Sequence, residues 1–108
     1  MKTINYEILS INKMASGHLC LHITEKINWE EFPEYAAMLL KFLNGKTMYK
    51  ADAPDIRVWD VLINKKKYRL VFDDYPVMVS LESDDDEADN GIKAIREILL
   101  MLKKKKQK

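Results

Sequence analysis

Apolar and polar side chains alternate with period two at the start of the chain. Ile4, Tyr6 and Ile8 face one way and Thr3, Asn5 and Glu7 the other, which predicts a first strand. Ser16-Gly17 marks a turn. Leu19, Leu21 and Ile23 then alternate with His18, Cys20 and His22, which predicts a second strand paired to the first across Asn12–Gly17. The period then changes. Trp29, Phe32, Ala36, Leu39, Leu40 and Leu43 recur at helical spacing. Asn28 and Glu31 stand three apart, as in a capping box. Pro33 lacks the N–H that a helix interior requires, so the first turn is expected to be distorted or the helix to restart at Pro33. Asn44-Gly45 ends the helix with residues that tolerate a left-handed backbone.

Further on, Thr47–Tyr49 is a candidate short strand and Ala53-Pro54-Asp55 a loop. Arg57–Ile63, Tyr68–Phe72 and Val77–Leu81 are β-rich runs. The short links Asn64–Lys67 and Asp73–Pro76 favour an antiparallel meander. Ile92, Ile95, Leu99 and Leu102 define the apolar face of a last helix, preceded by Asp84–Asp89 and followed by Lys103–Lys106. The expected fold is α+β, with an antiparallel sheet of about five strands in the order β-β-α-β-β-β-α, one further strand optional. Both helices cover one face.

At 108 residues and 47% apolar composition, the pattern is expected to form one domain over 1–108, with a frayed basic tail at 103–108. The longest apolar stretch, near Ile98–Leu102, is too short to cross a bilayer, and Met1–Ser10 does not read as a secretory signal. Cys20 is the only cysteine. With no internal disulfide available, the expected location is the cytoplasm.

Charge is unevenly placed. The net charge of +1 includes five lysines in Lys103–Lys108; the other 13 bases face 17 acids, so the body carries −4. Asp73, Asp74, Glu82, Asp84, Asp85, Asp86, Glu87 and Asp89 are eight acids in seventeen positions with no base among them. Asp84-Asp85-Asp86-Glu87 is contiguous, whereas a calcium loop alternates its acids and closes on a glutamate. The stretch is therefore read as a helix-start loop that can also attract a cationic partner.

The other constellations have structural explanations. His18, Cys20 and His22 share one strand face and are all metal-ligand types, but side chains two apart on a strand are about 7 Å apart and need a second segment to close a shell. No metal or cofactor is expected. Cys20 beside a histidine lacks an oxyanion donor, so no catalytic residue is assigned. Glu30, Glu31 and Glu34 suit a helix start. Trp29, Phe32, Tyr35 and Phe42 read as core aromatics packing on Trp59, Tyr68 and Phe72. Lys65-Lys66-Lys67 reads as a solvated turn, so no nucleic-acid partner is expected.

Several motifs from Asn28 onward carry a resemblance. They are Asn28-Trp29-Glu30-Glu31-Phe32, Gly45, Ala51-Asp52, Val58-Trp59-Asp60-Val61, Tyr68-Arg69-Leu70-Val71-Phe72, Asp73-Asp74-Tyr75 and Val79-Ser80-Leu81-Glu82. Together they resemble a family of small uncharacterised bacterial proteins with no catalytic residues to carry over. Pro76 stands where a smaller polar residue is expected, so the turn is expected to differ from the family's. In size, charge and architecture the chain is also similar to immunity proteins of contact-dependent growth inhibition. That resemblance implies a non-enzymatic protein that binds and blocks a basic toxin domain. Asp73, Asp74, Glu82, Asp84, Asp85, Asp86 and Glu87 would be the partner-binding residues. The alternative is a structural or regulatory interaction module, dimeric through a sheet edge or helix face.

Overall fold

The computed structural model describes residues 8–74 and 76–106. Its elements are β1 (Ser10–Lys13), β2 (Leu19–Thr24), α1 (Phe32–Phe42), β3 (Gly45–Ala53), β4 (Ile56–Ile63), β5 (Lys66–Asp74), β6 (Val77–Glu82) and α2 (Asp86–Lys106). The α+β architecture and antiparallel sheet are as expected. The sheet has six strands in the order β1-β2-β6-β5-β4-β3. The added strand is β3, nine residues long where only Thr47–Tyr49 is marked by its composition. Its residues do not alternate because it is an edge strand, exposed from Met48 to Ala53.

The strand expected at Thr3–Ile8 falls at 3–7 outside the described residues. Ile8 itself donates its N–H to Ile23 O at 3.1 Å. β1 instead begins at Ser10, after Leu9 reverses its backbone with φ 52°. A left-handed leucine is uncommon. Here its carbonyl accepts from Arg96 Nε of α2 at 2.7 Å, and its side chain is buried.

The core lies on one face of the sheet. A row Ile11, Leu21, Leu81, Leu70, Trp59 and Lys50 runs across all six strands, each residue opposite the next. Ala88, Ile92, Ile95 and Leu99 of α2 and Phe32, Tyr35, Ala36, Leu39 and Leu40 of α1 are buried in the same cluster. Each large side chain so removed from water contributes about 1.5–3 kcal/mol. Phe32 meets Trp59 at 4.8 Å between ring centroids and Phe72 at 5.5 Å. Phe42 departs from the expected aromatic core: it is 45% exposed, because Leu43 turns inward at that end of the helix.

The local signals at α1 hold in detail. Asn28 Oδ1 accepts from Glu31 N at 2.8 Å and Glu31 Oε1 accepts from Asn28 N at 3.0 Å, a reciprocal capping box. That box closes a turn, and the α-helix starts after it at Phe32, so Pro33 sits where its missing N–H costs nothing. Asn44, with φ 56°, makes the left-handed reversal. Gly45 serves a different need: a Cβ there would lie 2.9 Å from the Leu62 carbonyl oxygen and 2.8 Å from Ile63.

Candidate functional site

The acidic stretch spans the β6–α2 junction, and its helix boundary differs from expectation. α2 begins at Asp86, so Asp86, Glu87 and Asp89 belong to its first turn rather than to a preceding loop. Asp85 explains the early start. Its Oδ1 accepts from Ala88 N at 2.7 Å, and its carbonyl accepts from Asp89 N at 2.9 Å, so it caps the helix. At the other end α2 continues helically to Lys106, into the segment expected to fray.

The seven sequence-assigned partner-binding residues do not form one patch. Glu82, Asp84, Asp85, Asp86 and Glu87 share the end of the sheet where β6 meets α2. Asp73 and Asp74 lie at the other end, opposite Met78 and Val77 across the β5–β6 hairpin. Antiparallel pairing forces this separation: β6 lies between the two groups, roughly 17 Å at strand rise. On the open sheet face, the row Asn12, Cys20, Glu82, Arg69, Asp60 and Tyr49 places Arg69 between two acids. Arg69 also reaches Asp84 at 3.6 Å. Asp84, Asp85, Asp86 and Glu87 are all exposed.

Asp89, which the sequence marks only as part of the helix-start stretch, has three hydrogen-bonding partners beyond α2 itself. Its Oδ1 accepts from Leu19 N at 2.9 Å and from the Ser83 hydroxyl, and its Oδ2 meets His18 Nδ1 at 2.9 Å. These contacts clasp the start of α2 to the start of β2. The hydrogen bonds from His18, Ser83 and Leu19 hold the Asp89 carboxyl down to about 2. The hydrogen bond to Asp89 raises His18, with Asp86 and Asp84 adding to the effect. His18, Asp86 and Asp89 can bring one ligand atom each within 4.8 Å of one another. Both Asp89 oxygens are already engaged by groups of the same chain, so the contact works as an intramolecular clasp. Ser83 is buried and directs its hydroxyl at Asp89 and the Asp85 carbonyl rather than at His18.

The His18, Cys20 and His22 trio separates. His18 is drawn to α2, while His22 Nδ1 lies 3.1 Å from Asn12 Nδ2. Cys20 is buried between them, and burial together with Glu82 pushes its thiol pKa up, away from the reactive thiolate. Lys65 lies in a two-residue turn with Asn64, with φ of 67° and 52°, so the lysine run is a tight hairpin. Lys46, Lys65 and Lys66 rim a cleft of about 670 Å³ whose walls include Leu43, Ile95 and Ile98. No local pattern marks this cleft, because its walls come from the α1–β3 turn, β3, the β4–β5 hairpin and α2.

The architecture is thus a six-stranded antiparallel sheet with two helices on one face, carrying an acidic helix start. The chain belongs to a family of proteins of unknown function, DUF3630, whose model matches residues 9–101. No curated protein and no solved structure matches it. No helix among the described residues is long and apolar enough to cross a membrane.

Proposed function

We propose that this protein is a binding protein of the immunity type, which takes a cationic partner at the acidic junction of β6 and α2 and acts without catalysis of its own. The partner would be a basic toxin domain, possession of a nuclease active site being one form of it, and binding would occlude its substrate groove. The observation that carries this reading is the exposure of Asp84, Asp86 and Glu87 beside Glu82, at a helix start capped by Asp85. Oriented acids at a helix start attract a basic surface over long range and speed encounter. Asp73 and Asp74 would contribute only if the partner also reached the far end of the sheet. The reading places the protein in the cytoplasm, where such a toxin acts.

The test replaces Asp84, Asp86 and Glu87 by Asn, Asn and Gln, and keeps Asp85 because it caps α2. Association with a basic toxin domain, from a neighbouring gene for example, should slow at least about tenfold, and the wild-type rate should fall as salt rises. Unchanged association in the triple variant would remove the acidic junction as the docking surface.

A further inference from the structure

β3 is a nine-residue edge strand whose outer side is exposed from Met48 onward. Long regular edges invite pairing, and proteins block them with bulges and outward lysines. Here the only irregularity of the β3–β4 ladder lies between Thr47 and Tyr49. From Tyr49 to Ala53 the strand is regular. Its two charged residues there are turned back onto their own sheet. Lys50 Nζ lies 4.5 Å from the Trp59 ring centroid. Asp52 accepts from Trp59 Nε1 and from Arg57 Nη1, both at 2.9 Å. Met48 and Tyr49 are 53% and 66% exposed, two of the five large apolar side chains left on the described surface.

The ladder geometry fixes what this edge can pair with. Ala53 faces Ile56 across the two-residue turn Pro54-Asp55, so Ala53 and, two by two, Ala51 and Tyr49 bond to β4. Lys50 and Asp52 then aim their N–H and C=O groups outward. A second strand must set its own outward residues opposite these. For a second copy related by a two-fold axis, three alignments do so. An axis at Lys50 sets lysine against lysine, and one at Asp52 sets aspartate against aspartate. An axis at Ala51 sets Lys50 opposite Asp52 of the other copy, twice. The same alignment lays exposed Tyr49 over Ala53 of the other copy, a large side chain against a small one.

We propose that two copies of this chain associate through β3, antiparallel and centred on Ala51, extending the sheet into one continuous twelve-stranded sheet. Reciprocal backbone bonds between Lys50 and Asp52 hold the pair, this register alone sets no like charges opposite each other while both side chains keep their contacts to β4, and the contact is small enough to be reversible. The surface is distinct from the β6–α2 junction, so each proposal stands or falls without the other.

The test uses the full chain. Sedimentation equilibrium at rising concentration should show a monomer–dimer exchange. Lys50→Asp alone and Asp52→Lys alone should each weaken it at least about tenfold, while an equimolar mixture of the two should restore a heterodimer, because both facing pairs become opposite in charge. Asp52→Lys also removes the contacts to Arg57 and Trp59. Lys50→Pro is therefore included: it deletes an outward N–H, spares the β4 ladder, and should leave a folded monomer. Ala51→Cys should cross-link across the axis under mild oxidation, since directly opposed residues of this type have Cα atoms about 4.5 Å apart. A chain monomeric at millimolar concentration overturns the proposal. So does a dimer that survives Lys50→Pro, or a failure of Ala51→Cys to cross-link.

Discussion

The hydroxyl of Tyr68 rests against Gly91 so closely that a Cβ at Gly91 would stand 1.8 Å from it. Gly91 lies inside α2, where glycine ordinarily costs a helix about 1 kcal/mol relative to alanine. The close approach of β5 to α2 explains that cost. Tyr68 is buried, so its ring has little room to retreat.

Gly91→Ala should therefore destabilise the protein by about 1–3 kcal/mol despite its better helix propensity. Tyr68→Phe removes the clashing oxygen and should recover part of the loss, since Cζ would still be 3.1 Å away. Denaturant unfolding of the two single variants and the double variant measures the coupling. Strictly additive effects would mean that the two residues do not meet.

Lys65 offers the opposite case. Both residues of the Asn64-Lys65 turn have positive φ, a conformation natural for asparagine and glycine but not for lysine. Lys65→Gly should raise stability by about 0.5–1 kcal/mol, seen as a higher denaturation midpoint with an unchanged slope. A fall in midpoint would show that the lysine side chain contributes more than its backbone costs.

The His18–Asp89 clasp makes stability depend on pH from both sides. Asp89 has its folded pKa lowered to about 2, so its contribution is complete above the unfolded carboxylate range and fades as pH falls towards 2. His18 has its folded pKa raised, so its contribution is complete below the unfolded value, about 6.5, and is lost as pH rises through the folded one. Both contributions are in place between about pH 4 and about pH 6.5. His18→Gln should lose most stability in that window and converge on wild type in mildly alkaline solution. A wild-type minus variant difference that stays flat from about pH 5 to about pH 9 would exclude the clasp as a titrating pair.

Acidic residues show how much could be read from order alone. Their density between Asp73 and Asp89 is visible in the chain, but their grouping is not. Glu82 and Asp84–Glu87 come together, while Asp73 and Asp74 go to the far end because a strand lies between. Asp89, held by His18, Ser83 and Leu19, is in the sequence one more charge in a run. Its partners Leu19 and His18 are about seventy positions away, and no local spacing records them.

The sequence by itself determined the α+β class, the β2, β4, β5 and β6 runs, the capping box at Asn28 and Glu31, and the apolar faces of both helices. These follow from periodicity and from hydrogen bonds within a few residues, which the local order of side chains controls. Only the tertiary structure decided that β3 is a full edge strand, that Gly91 is required by Tyr68, and that Phe42 stays outside the core. It also decided that Lys50 and Asp52 fold back to leave the edge open. Each depends on which strand or helix lies alongside, and packing between distant segments sets that.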